Sequence, residues 1–142
     1  MVKTEIILLL FLTAILWGTT PVLEKIGLTK TDPLTGVAIR SISVTIALIM
    51  YLAFTGKIRQ LFQVDRKTLI IFSVTGIISG LFGMVTYFMA LKKGATSQVV
   101  PIAATYPLIT AILSVLILGE GVTLLRLVGT IFIILGIWLV QA

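Results

Sequence analysis

The chain has 142 residues, of which 58% are hydrophobic and 11% charged, with a net charge of +6 and neither cysteine nor histidine. A mean hydropathy of +1.21 excludes an ordinary soluble domain and fits a polytopic helical membrane protein. Without cysteine there is no disulfide, thiolate nucleophile or cysteine-ligated metal, and without histidine the commonest metal ligand and proton shuttle is missing as well.

Five stretches carry no Asp, Glu, Lys or Arg: Ile6–Leu23, Ser41–Gly56, Thr68–Leu91, Gly94–Gly119 and Leu127–Ala142. About 20 mostly apolar residues in a helix cross the hydrocarbon core, so the third and fourth suffice alone. The first extends through Glu24 and Lys25 to Leu28, the second starts at Pro33 if it tolerates Arg40, and the fifth starts at Val122 if Arg126 reaches back to the interface. The expectation is an all-α polytopic membrane protein, one domain over 1–142, with transmembrane helices at 6–28, 33–56, 68–91, 94–119 and 122–142. No stretch alternates with period two, which argues against a barrel. Lys3 before an apolar run resembles a signal peptide, but the run is too long for an h-region and lacks a small-x-small cleavage site, so it is read as the first helix. An odd number of crossings puts the two ends on opposite sides of the bilayer.

The longest polar stretch, Lys57–Lys67, is only a loop. It leaves no room for a soluble catalytic or nucleic-acid-binding module, and the basic charge is read as membrane topology and attraction to anionic headgroups rather than as a nucleic-acid footprint.

In the first helix, Trp17 lies about 16 Å from the start, too deep for the near interfacial belt, which leaves substrate contact or helix packing. Pro21 removes a backbone donor and can kink the helix just before Glu24 and Lys25. Those neighbours point about 100° apart, so at most one faces a cavity while the other seeks an interface or another helix; both can equally mark the end of the span. Arg40 sits about 10 Å into the second helix, either as a site cation or snorkelling to the headgroups. The third helix carries Gly76-Ile77-Ile78-Ser79-Gly80, a ridge that allows close approach of a neighbour, and ends with Tyr87. In the fourth, Pro101 and Pro107 predict bending and free the carbonyls of Ser97 and Ala103, making it a candidate site wall beside Tyr106. Glu120 between Gly119 and Gly121 is read as a cap or a loop salt bridge with Arg126 and is left out of the site. Trp138 near the end of the fifth helix is read as an interfacial anchor. The candidate substrate-binding residues are therefore Trp17, Glu24, Arg40, Tyr87 and Tyr106, with no catalytic or metal-binding residue and no cofactor.

With an inside N-terminus and Arg40 set aside as intramembrane, one side holds Lys3, Lys57, Arg59, Arg66, Lys67 and Arg126, and the other Lys25, Lys30, Lys92 and Lys93. Six against four is a small asymmetry, compatible with insertion in both orientations.

Trp17-Gly18-Thr19-Thr20-Pro21 followed by Glu24-Lys25, an early Arg40, Tyr87-Phe88-Met89-Ala90-Leu91, Ala95-Thr96-Ser97, Pro107-Leu108, Leu118-Gly119-Glu120, Gly129 and Ile134-Leu135-Gly136 come in an order that resembles one EamA-type repeat of the drug/metabolite transporter superfamily. The resemblance implies a fold usually built from two such repeats in tandem, the second inverted, whereas this chain holds one. Inverted-repeat transporters place the substrate near the midplane between repeats and rock one against the other. A lone repeat lacks its second wall, and an antiparallel homodimer in the bilayer supplies it. The expected function is secondary transport or exchange of small metabolites at the plasma or inner membrane; the alternative is a non-transporting accessory subunit packed against a partner protein. Neither a nucleotide loop nor a nucleophile with its base can be assembled, so an enzyme is not expected. Among the acids near spans, Glu5, Glu24 and Glu120, proton coupling would rest on Glu24.

Overall fold

A computed structural model describes residues 4–121 and 123–141. The chain folds as two units, Met1–Lys92 and Lys93–Ala142. Among the described residues every regular element is helical.

In the first unit, α1 covers Thr4–Leu28 and α2 covers Pro33–Phe54. The four-residue turn between them leaves them antiparallel neighbours, and Asp32 sets where α2 begins. Its side chain accepts from the Thr35 N–H at 3.0 Å, with Pro33 at the first helical position, where the missing N–H would be unsatisfied anyway. The hydrogen bonds from Thr35 hold the Asp32 carboxyl below its ordinary range. Gly56, at φ +70°, turns the chain out of α2. After a short 3₁₀ turn at Ile58–Phe62, Asp65 repeats the capping device on Thr68, also at 3.0 Å, and α3 runs over Arg66–Lys93.

Pro21 leaves α1 unbroken. The N–H it lacks would have gone to the Trp17 carbonyl four residues earlier. That oxygen instead accepts from the Thr20 hydroxyl at 3.0 Å, which meets the need.

The stretch Gly76–Gly83 inside α3 is a π-helix. Within one chain the expected close-approach ridge meets no neighbour at Gly76 or Gly80, and approach by a second copy there stays an expectation. Each π turn takes in an extra residue, so residues four apart no longer stack into one ridge. A Cβ added at Gly76 or Gly80 would meet nothing within 4 Å. The two glycines instead line an open cleft of about 410 Å³ facing Ala38 and Ser41 of α2.

The tight packing of this unit is at one end. Leu28, Val37, Phe88 and Leu91 are 0–3% exposed, joined by buried Pro21, where the end of α1, the start of α2 and the end of α3 converge. Elsewhere the helices present apolar side chains outward, as helices do in lipid, where chain contacts replace water exclusion as the cause of association.

In the second unit, α4 spans Thr96–Leu118 and α5 spans Leu124–Gln141, with the first half of α4 packed against α5. The expected bend in α4 is present as a break at Ala104–Thr105. Pro107 cannot continue the ladder, and the Thr105 N–H and hydroxyl both turn back to the Ile102 carbonyl, at 3.1 and 2.8 Å. Gly119 ends α4 in the left-handed conformation at φ +66°. The Glu120 N–H closes on the Ser114 carbonyl at 3.3 Å, so the backbone of Glu120 belongs to the end of the helix. The Arg126 side chain proposed as its ion-pair partner lies outside the described residues, as do Val122 and Ala142.

Four helices among the described residues are long and apolar enough to cross a bilayer, α1 to α4. The fifth, Leu124–Gln141, is shorter, with an apolar stretch among the described residues of Leu127–Val140. The structure therefore gives five helices, four of which have the length and composition of a span among the described residues, and the fifth crossing stays an expectation of the sequence.

Candidate functional site

Between α1 and α2 the first unit leaves a groove of about 380 Å³. On α1, Thr20, Glu24 and Gly27 follow one another three or four residues apart and so share one face, and Thr31 joins them from the turn; on α2, Gly36 and Arg40 do the same. Gly27 and Gly36 keep the floor free of side chains, and Leu23, Leu28 and Ile39 make it apolar.

Its charged feature is an ion pair, Arg40 Nε to Glu24 Oε1 at 3.6 Å. The Glu24 side chain is 14% exposed and that of Arg40 48%. Arg40 thus has an acid beside it at the groove. A cation and an anion within the apolar length of two helices compensate each other's desolvation, which a lone charge there cannot do.

The neighbour of Glu24 turns elsewhere, as the 100° offset requires. Lys25 Nζ donates to the carbonyl of Leu91 at 2.6 Å and of Lys92 at 3.2 Å, at the end of α3. Lys92 Nζ in turn donates to the Thr31 carbonyl at 2.7 Å, in the turn after α1. The two lysines clasp the tightly packed end of the unit, and Lys25 meets the orphan carbonyls and the negative end of the α3 dipole.

The other sequence candidates are divided. Tyr87 on α3 is partly covered, lies close enough to Glu24 to feel its charge, and has its ring 6.1 Å from that of Phe88. Trp17 is on the groove face of α1, about 10 Å further along the helix than Glu24; it is 66% exposed and outside the groove walls. Tyr106 belongs to the second unit, where it lines a separate groove of about 560 Å³ between α4 and α5, with Thr110, Ser114, Glu120 and Thr130. The structure therefore joins Glu24 and Arg40 directly, leaves Tyr87 and Trp17 outside the walls of their groove, and has Tyr106 in the other unit. Glu24 is about 6 Å from the end of α1, so the groove opens nearer one end of the spans than the midplane expected of a substrate site.

Sequence reasoning missed the groove's glycines and the clasp by Lys25 and Lys92. The glycines had a signal, since Gly36 precedes Arg40 by one turn and Gly27 follows Glu24 by three residues. The clasp had none, because backbone carbonyls carry no mark in a sequence.

With this geometry the comparisons with known proteins agree. The EamA-like transporter family matches residues 4–142. The chain belongs to that family. An uncharacterized protein of Methanocaldococcus jannaschii is 30% identical over 135 residues, 95% of each chain. An uncharacterized transporter of Archaeoglobus fulgidus is 26% identical over 77 residues, 54% of this chain and 28% of that one, which makes the relative about twice as long. No solved structure matches the chain. As an EamA-like protein with four helices fit to span, it is a multi-pass membrane protein of a family of transporters rather than of enzymes.

Proposed function

We propose that this EamA-like protein is a secondary transporter or exchanger of small metabolites that works by alternating access as an antiparallel homodimer in the plasma or inner membrane. The observation that carries the reading is the Glu24–Arg40 pair in a groove open along α1 and α2. Charges within spans are costly and belong where a pathway or a ligand uses them. The homodimer is supported by lengths: the Methanocaldococcus relative is as long as this chain, and the Archaeoglobus relative is about twice as long. One unit of this size supplies one wall of an inverted-repeat pathway, and a second copy inserted the other way supplies the opposite wall. Opposite insertion also requires Leu124–Gln141 to cross, by tilting of its neighbours or local thinning of the bilayer around it.

The test is saturable flux into proteoliposomes containing this protein alone, under imposed proton gradients or counter-substrate, against protein-free vesicles. A ligand that binds the dimer and is moved under none of these conditions would make the chain an accessory or receptor-like subunit.

A further inference from the structure

The two members of the ion pair in the groove between α1 and α2 are unequally exposed. Arg40 is 48% exposed and Glu24 is 14% exposed, and they meet through Nε and Oε1 at 3.6 Å. An arginine carries five N–H donors in a planar fork suited to two oxygens of a carboxylate or phosphonate. A contact of that length at Nε, on a half-exposed side chain, leaves the fork room to take a second partner.

A cationic ligand would need the carboxylate or an open aromatic face. Glu24 lines the groove but is the less exposed and already engaged partner, and Phe88, the aromatic residue in the groove wall, is 3% exposed. Both offer a ligand less surface than Arg40 does. The exposed apolar walls come from Leu23 and Ile39, with Thr20 and Thr31 beside them, around about 380 Å³, within the range of pockets that take small organic ligands.

We infer that this groove binds small organic monoanions, with a carboxylate or phosphonate head on the Arg40 fork and an apolar body against Leu23 and Ile39. The inference rests on the reading of the groove as the transporter's substrate site and names the substrate class of that site. Glu24 is then a positioning residue: it keeps the guanidinium in the empty groove and competes with the arriving anion.

Three probes test it, with the full chain in nanodiscs and binding followed by calorimetry: benzoate, hexanoate and phenylphosphonate, against benzamide and benzylamine as neutral and cationic counterparts of the aromatic skeleton. The anions are expected to bind and the counterparts not to. Arg40→Gln should weaken the anions by about tenfold or more, the scale of lost hydrogen bonds to a charged group. Arg40→Lys, which keeps the charge without the fork, should fall between. Glu24→Gln should tighten the anions several-fold, which a merely structural role for Glu24 does not produce. Elution and melting temperature establish that each variant is folded.

Failure of all three anions to bind the folded protein overturns the inference, and so does tighter binding of benzylamine that Glu24→Gln abolishes. Anion binding with the expected variant pattern but no flux in proteoliposomes leaves this inference standing and removes the transport reading. Flux of benzylamine that is blind to Arg40→Gln does the reverse.

Discussion

Gly36 is where backbone chemistry and the groove meet. A Cβ there would stand 3.3 Å from both Phe88 Cδ2 and Cε2 and 3.5 Å from Leu28 Cδ2. Phe88 and Leu28 are 3% and 2% exposed, so the ring has no room to retreat. Gly36→Ala gains about 1 kcal/mol of helix propensity against about 1–3 kcal/mol for overpacking, and a small net loss is expected. Gly36→Leu has no such offset and should lower the thermal midpoint clearly, with Phe88→Leu in the same chain recovering part of the loss by a double-mutant cycle. Tolerance of Gly36→Leu in the Phe88 background would mean that the ring is not wedged there. The charged members of the site were legible in the sequence, because Glu24 and Arg40 interrupt apolar spans. Their partnership was not: it depends on the turn at residues 29–32 folding α2 back along α1, and composition carries no distance. Aromatic type carried no position: Trp17 is exposed on the groove face of α1 beyond the groove walls, and Tyr106 lines a groove of the other unit.

Helix boundaries were read well where caps mark them. Asp32 with Pro33, Asp65, Gly56 and Gly119 stop and start elements within a few residues of the predicted limits. The π segment at Gly76–Gly83 escaped because a hydrophobic pattern read at 3.6 residues per turn assumes the helix it is meant to find. The fifth helix is the shortest of the five, Leu124–Gln141. At this scale the clasp at the end of α3 is the strongest claim. Lys25→Met removes the donor to the Leu91 and Lys92 carbonyls and should cost about 1–2 kcal/mol, the combined scale of a charge-assisted hydrogen bond and a cation at a helix C-terminus. Amide hydrogen exchange should rise over residues 84–93 and not over residues 66–75. Lys30→Met, which removes an equal charge from the neighbouring turn, is the control expected to change little; equal effects from both would reduce the clasp to general electrostatics.

The whole molecule is basic at both ends of its first unit. Lys57, Arg59, Arg66 and Lys67 gather around the turn between α2 and α3, while Lys25, Lys30 and Lys92 gather where α1 meets α2 and α3 ends. A protein meant for one orientation concentrates Lys and Arg on the cytoplasmic side. Here either end can face an anionic cytoplasmic leaflet, as an antiparallel pair of identical chains requires. If opposite insertion is real, reporters that read cytoplasmic or outside location, fused at either terminus, should each give a mixed population. Adding two Lys beside Thr4 should then drive the N-terminus inward, and adding two after Leu28 should drive that turn inward instead. Each one-sided variant alone should lose flux, and co-expression of the two should restore it, because together they again supply both orientations. A single orientation that added charge does not move would remove the antiparallel dimer while leaving the helices, the groove and the Glu24–Arg40 pair as they are.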